Sequence, residues 1–218
     1  MTSLRTKRHV PREPVRRSSV RGAQKILHRS TCRLCSKGGL ELILSLGQMP
    51  LANALLTEKQ LEEPEQTYPL DLAFCPHCSL VQITETVSPE RLFREYFYFS
   101  SFSDTVLKHA QKLTRELITS RRLDGNSFVV EIASNDGYLL QYYKEAGIPV
   151  LGIEPATNVA RVARKERGIP TLCDFFGKTL GQEFRNEDKR ADVVHVHNVL
   201  AHVADLSGFV EGIRLLLK

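Results

Sequence analysis

The chain has 218 residues, 42% of them hydrophobic, and a formal net charge of +5; this leaves room for one ordinary domain or two small ones of globular composition. No apolar run approaches the roughly 20 residues needed to span a bilayer, and no basic start leads into the apolar core of a signal peptide, so a cytoplasmic location is the default expectation. The charge does not mark a nucleic-acid-binding fold, because residues 1–30 hold nine Lys or Arg against Glu13 alone, a balance of +8 that leaves −3 for residues 31–218.

Residues 1–30 read first as a disordered, solvated basic tail. Loose affinity for nucleic acid or a membrane surface is one alternative. An Arg-rich targeting peptide is another, although Pro11 and Pro14 would interrupt its helix.

Residues 31–88 form a small module. Short apolar runs broken by Gly38-Gly39, Gly47, Pro50, Pro64 and Pro69 make it loop-rich, with one hairpin expected from residues 70–74 and 79–83. Two Cys-x-x-Cys pairs, Cys32 with Cys35 and Cys75 with Cys78, each sit on a tight turn. Four thiolates from two turns can surround a tetrahedral Zn²⁺ with no open coordination position, which predicts a structural metal site. A segment so poor in core gains folding free energy from the metal. His77 reads as a surface residue and Cys173 as a core residue.

Residues 89–218 form the second domain. An aromatic stretch holds Phe93, Tyr96, Phe97, Tyr98, Phe99 and Phe102, and Ser103 can cap the helix behind it, whose buried face is Val106, Ala110, Leu113 and Leu117. Strands are then expected at 128–132, 150–153, 170–173 and 191–197. Helices are expected at about 138–146, 158–167 and 178–184, with a last one bearing Leu206, Phe209, Val210, Ile213, Leu216 and Leu217 on one face. Strands alternating with helices imply an α/β fold with a parallel sheet and right-handed crossovers. His195 and His197 alternate on the fourth strand and read as structural.

The segment Glu131-Ile132-Ala133-Ser134-Asn135-Asp136-Gly137 joins the first strand to a helix, where an open α/β sheet binds nucleotide-like ligands. The Gly-x-Gly-x-x-Gly needed for a dinucleotide pyrophosphate is absent. S-adenosylmethionine has no phosphate; it needs a turn that admits its amino-acid end and an acid for its ribose hydroxyls. Glu154, ending the second strand, suits the ribose, and Asp174 and Phe175, after the third, could face the adenine.

These residues carry a resemblance. Cys-Arg-Leu-Cys at 32–35, Leu-Gly-Gln-Met-Pro-Leu-Ala-Asn at 46–53, Cys-Pro-His-Cys-Ser-Leu-Val-Gln at 75–82 and Tyr-Phe-Tyr-Phe-Ser-Ser at 96–101 resemble the deoxysugar C-methyltransferase family. So do Glu-Ile-Ala-Ser-Asn-Asp-Gly-Tyr-Leu-Leu at 131–140, Gly-Ile-Glu-Pro at 152–155 and Asn-Val-Leu-Ala-His-Val-Ala-Asp at 198–205. The resemblance implies a zinc-binding N-terminal module and a Rossmann-like class I methyltransferase domain of strand order 3-2-1-4, with later strands missing. It implies S-adenosylmethionine as cofactor, with Pro155 and Asn198 added to its binding residues. The implied reaction is methyl transfer to a carbon of a nucleotide-linked keto-deoxysugar, with His202 as base and Tyr96 and Tyr98 reaching over the active site. Ala133 stands where the family usually has glycine, and Ala201 where some members carry an acid. The family continues beyond the point matched by Lys218, so the domain reads as incomplete, with an apolar sheet edge open to self-association or a partner. A catalytically inactive fragment that binds zinc and S-adenosylmethionine, or a partner-dependent interaction module, is the alternative function.

Overall fold

The computed structural model describes residues 27–218; the basic tail up to residue 26 lies outside the described residues. The first module contains β1 (Leu27–His28), β2 (Glu41–Pro50), β3 (Thr67–Phe74), β4 (Val81–Ile83) and β5 (Glu85–Thr86). β2, β3 and β4 form an antiparallel sheet in that order, and β1 pairs with β5. Residues 27–30, read from sequence as the end of the tail, therefore join this module, where Arg29 N also donates to Thr84 O at 2.9 Å.

The ten-residue β2 corrects the loop-rich reading of this segment. Register shifts between Leu42 and Leu44 and between Ser45 and Gln48 interrupt the two-residue alternation. Gly47 takes a φ of +72°, and every residue of the strand is exposed. No one-sided apolar pattern announces it. The expected hairpin is present as β3 paired with β4.

The second domain runs α1 (Pro89–Phe93), α2 (Asp104–Arg121), β6 (Val129–Ile132), α3 (Leu140–Glu145), β7 (Val150–Ile153), α4 (Thr157–Glu166), β8 (Thr171–Leu172), α5 (Lys178–Asn186), β9 (Val193–Val196) and α6 (Leu206–Leu216). Its strands are parallel in the order β8-β7-β6-β9, which is 3-2-1-4 as expected. This order is one half of a doubly wound sheet, and ligands bind such sheets where β6 and its neighbours end.

Both faces of β6 are covered, as a central parallel strand requires. Val129 points into a layer with Ala110, Leu139, Tyr143, Ile148 and Ile169, while Val130 and Ile132 point to Phe184, Phe209 and Leu216 on the other side. Ser103 caps α2 by accepting from Val106 N at 3.4 Å, and Arg122 closes the helix at a left-handed φ of +53°. The buried face of α2 is centred on Ala110 and Thr114.

On α6, Phe209 and Leu216 are buried as expected, but Val210 is 49% exposed. Gly212 takes the inward place instead, because α5 and α6 touch backbone to backbone. A Cβ on Gly181 would lie 2.5 Å from Gly212 O, and one on Gly212 would lie 2.6 Å from Gly177 O. Overpacking of this kind is destabilising by about 1–3 kcal/mol or more. Gly212→Val should lower the stability of the second domain by at least that much in equilibrium urea unfolding, whereas Val210→Ser should be within about 0.5 kcal/mol of the parent.

Candidate metal centre and cofactor site

The two cysteine turns are built alike. Cys32 O accepts from Ser36 N at 3.0 Å and Cys32 N donates to Lys37 O at 2.9 Å; Cys75 O accepts from Ser79 N at 2.8 Å and Cys75 N donates to Leu80 O at 2.9 Å. Ser36 and Ser79 close the turns at φ values of 60° and 63°. The four sulfurs lie within 4.8 Å of one another. Cys32 Sγ is 3.5 Å from Cys78 Sγ, and Cys35 Sγ is 3.6 Å from Cys75 Sγ. Ligands at about 2.3 Å from a tetrahedral Zn²⁺ are themselves about 3.8 Å apart, so the cluster fits the ion.

Burial opposes ionisation of Cys32, but the amides of Cys35 and Leu34 and the neighbouring thiols outweigh it and bring the group down to about 6. Cys78 is pushed up to about 12: the Leu80 amide acts to lower it, while burial and the other thiols raise it more. The crowded sulfurs cannot all ionise without a cation, so binding one displaces protons. His77 is exposed, as expected. Cys173 is not a core residue; it lies half-buried after β8, with Sγ 3.8 Å from Pro155 O.

The turn after β6 is held by Glu154. Its Oε2 accepts from Asn135 N at 2.9 Å and its Oε1 from Ala156 N at 2.8 Å. Ala133 and Asn135 both adopt left-handed φ, 54° and 52°, and Gly137 reaches 78°. At Gly137 a Cβ would also press to 2.8 Å on Ile169 Cγ1. Ser134 packs over β7 so closely that a Cβ on Gly152 would lie 2.4 Å from its Oγ. The chain tolerates alanine rather than glycine at 133, with the strain such a φ carries.

Glu131, Ser134, Asp136 and Glu154 are all buried. Glu131 Oε2, Ser134 Oγ and Asp136 Oδ1 have no hydrogen-bond partner, and unsatisfied buried groups of this kind mark a ligand or solvent site. Burial raises Glu131 to about 7, against the pull of His197, whose Nδ1 is 3.4 Å from Oε1. Asp136 faces Arg167 at 3.4 Å.

Above this turn lies the aromatic segment. Asn135 Oδ1 accepts from Ser100 N at 2.8 Å and its Nδ2 donates to Tyr98 O at 3.1 Å. Asn158 Oδ1 accepts from Tyr96 N at 3.1 Å and its Nδ2 donates to Tyr96 O at 2.7 Å. Tyr96 is half-buried and Tyr98 is 51% exposed. Phe93 meets Tyr96 edge-on at 6.1 Å and His202 edge-on at 6.5 Å. His202 ends the 3-10 turn Leu200–His202 and is exposed, as is Asn198, at a left-handed φ of 54°. Phe175 lies under Arg94 at 4.8 Å, and Arg94 Nη1 is 3.4 Å from Pro155 O. Asp174 and Phe175 line a cleft of about 400 Å³ with Lys178 and Asp205.

The expected residues thus fall into the metal cluster, the Glu131–Glu154 turn, the Asp174–Phe175 cleft and the Tyr96–His202 rim. Sequence reasoning missed Asn158, Arg94 and the polar pairing of the fourth strand. His195 is buried with Nε2 2.9 Å from Tyr143 Oη, and burial holds it down to about 4. His197 touches Glu131 across the two strands.

A Rossmann-like parallel sheet with a polar turn at its switch point thus lies behind a four-thiol module. Residues 32–93 match the family described as "Putative zinc binding domain", and residues 130–218 match the family described as "Methyltransferase domain". The chain is 31% identical over 186 residues to C-methyltransferase NovU of Streptomyces niveus, across 85% of this chain and 44% of NovU. It therefore spans less than half the length of that relative. Similar solved structures include magnesium protoporphyrin IX methyltransferase of Synechocystis with bound SAM, at 15% identity and TM-score 0.41, covering 51% of this chain and 54% of that one. The glycopeptide N-methyltransferase MtfA with sinefungin is another, at 22% identity and TM-score 0.40, covering 50% and 46%.

Elemental analysis should find about one zinc per chain, and Cys75→Ser should lose it; full retention of zinc by that variant would refute the ligand set. The buried acid gives a second test. Glu131 binds its proton more readily folded, at about 7 against an ordinary 4.5, so its contribution to stability falls as pH rises through that window. His195, at about 4 against 6.5, is the opposite case, and its contribution falls as pH drops from 6.5 to 4. The two oppose each other between 4.5 and 6.5. Glu131→Gln removes the first alone, so acidification across this window should cost the variant more stability than the parent in urea unfolding.

Proposed function

We propose that the chain is the cofactor-binding and base-bearing part of an S-adenosylmethionine-dependent C-methyltransferase acting on a nucleotide-linked keto-deoxysugar, with a structural Zn²⁺ in the first module. The observation that supports this most is the polar turn after β6. Its partnerless buried atoms on Glu131, Ser134 and Asp136 lie one strand from Glu154, in a domain of the methyltransferase family. The printed name of NovU supports carbon as the methyl acceptor.

In this reading Glu131, Ala133, Ser134, Asn135, Asp136 and Gly137 receive the amino-acid end of the cofactor, assisted by Asn198. Glu154 and Pro155 receive the ribose, and Asp174 and Phe175 the adenine. Bound there, S-adenosylmethionine supplies an electrophilic methyl group. A carbon beside a carbonyl is acidic enough to lose its proton to a neutral imidazole, and His202 takes that proton at the exposed rim, where a bulky nucleotide-linked sugar can approach. Tyr96 and Tyr98 orient the sugar or donate to its enolate oxygen. The two ends of the site differ in kind. The turn at residues 134–137 and Glu154 are buried and joined through a backbone amide, while His202 and Tyr98 are exposed on segments outside the sheet.

Glu154→Gln should weaken S-adenosylmethionine binding by about 1.5–3 kcal/mol, the scale of a lost charge-assisted hydrogen bond, as read by calorimetry. His202→Asn should keep the parent's cofactor affinity and lose methyl transfer to a panel of nucleotide-linked 4-keto-deoxysugars. Parent-like turnover by the His202 variant would remove histidine from the role of base.

A further inference from the structure

The loop that carries His202 is gripped from the metal module. Arg33 is the second residue of the Cys32–Cys35 turn. Its backbone N donates to the buried Gln82 Oε1 at 2.8 Å. On its own module its Nη2 reaches Thr86 Oγ1 at 3.0 Å, Ile83 O at 3.2 Å and Glu85 O at 3.3 Å. Its Nη1 crosses to the second domain and lies 3.4 Å from Val203 O. Arg29 follows β1 and does the same one residue further on, with Nη2 2.8 Å from Ala204 O. Two guanidinium groups therefore converge on consecutive carbonyls directly after His202, although their like charges repel each other. The loop's own backbone supplies one bond here, from His202 N to Val199 O at 2.8 Å.

We infer that Arg33 and Arg29 are positioning residues through which the metal module fixes the His202 loop over the cofactor end of the sheet. The inference rests on the reading of His202 as base. The mechanical path is short. A bound ion locks the Cys32–Cys35 turn, the turn fixes the Arg33 backbone, and the guanidinium holds the peptide that follows the imidazole. Charge-assisted bonds to carbonyl oxygens are directional, so they set the orientation of the turn as well as its distance. This gives a metal site with a closed ligand set a share in catalysis without any contact with substrate, since reacting groups misplaced by as little as 1 Å can lose about 10²-fold in rate.

The test compares the zinc-loaded protein with Arg29→Gln and Arg33→Gln. It reads zinc content, S-adenosylmethionine affinity and amide hydrogen exchange at His202, with the Phe209 amide as internal control. Phe209 N is bonded to Asp205 O within the next helix. Both variants should keep their zinc and their cofactor affinity, exchange the His202 amide about tenfold faster or more, and leave Phe209 unchanged. Chelation of zinc from the parent should speed exchange at His202 in the same way. In methyl transfer, kcat should fall with the KM for cofactor unchanged. Parent-like exchange at His202 in both variants overturns the inference, and so does faster exchange with parent-like kcat. If Arg33→Gln loses zinc, Arg29→Gln decides, since Arg29 bonds Thr86 and Ala204 through its side chain and Thr84 through its backbone, outside both cysteine turns. Failure of the base assignment is separate: it appears as turnover by His202→Asn and leaves the exchange result standing.

Discussion

The site depends on one carboxylate. Glu154, buried at the end of β7, uses one oxygen for the amide of Asn135 and the other for the amide of Ala156. The first bond fixes a turn that takes left-handed backbone at Ala133, Asn135 and Gly137, a conformation the first two residues adopt only when their surroundings over-determine it. With its backbone fixed, Asn135 has its side-chain amide free to hold Ser100 and Tyr98. A single acid thus shapes the cofactor turn and, through one asparagine, anchors the aromatic segment above it. Burial raises Glu154 above the ordinary carboxylate range, although the two amides pull the other way. Its negative charge is therefore held at a cost that the backbone bonds and, in the proposed function, the ribose hydroxyls offset.

Asn158 repeats the device from α4, closing both bonds on Tyr96. Asparagine suits this task because its side chain carries a donor and an acceptor in the geometry of a peptide group. The segment 96–99 is irregular and belongs to none of the three sheets, so side-chain amides supply the pairing that a neighbouring strand would otherwise give. The aromatic rings are left to face outward: Phe97, Tyr98 and Phe102 are all more than half exposed. Phe93, Tyr96 and Phe99 are half-buried, with Phe93 edge-on to Tyr96 and Phe99 stacked on Phe102.

The parts legible in the sequence were those governed by local rules. Cysteine spacing marks both metal turns, and short apolar runs alternating with helical stretches mark the four parallel strands. The acid at the end of β7 and the capping serine before α2 are likewise local signals. β2 escaped because its bulges and full exposure remove the period by which strands are recognised. Glu131 was placed in the cofactor turn, but its pairing with His197 depends on β6 and β9 lying side by side in register, Glu131 opposite His195, which the sequence cannot reveal. Val210 and Gly212 exchanged roles on α6 for a similar reason. The approach of α5 is set by two glycines 31 positions apart, and a helix wheel drawn on one helix does not see the other.

Residues that join the two modules were the least legible, and physics explains why. Arg29 and Arg33 lie in a basic, loop-rich stretch where an arginine ordinarily means solvent. Their acceptors across the boundary are backbone carbonyls, at Val203 and Ala204, while in the first module they bond the carbonyls of Ile83 and Glu85 and the hydroxyl of Thr86. Carbonyls carry no side-chain identity, so no pair of residue types in the sequence announces the contact. Among the described residues neither guanidinium forms a salt bridge across the boundary, so charge pairing does not announce the contact either. Yet for linking two small domains this choice is sound. A salt bridge between exposed side chains adds little, whereas a guanidinium shared among several carbonyls fixes the path of the backbone itself. The loop after β9 has few backbone bonds of its own, so it takes its shape from whatever holds those carbonyls. In this chain that is the metal module, which makes the four thiols and the histidine parts of one arrangement although they touch at no point.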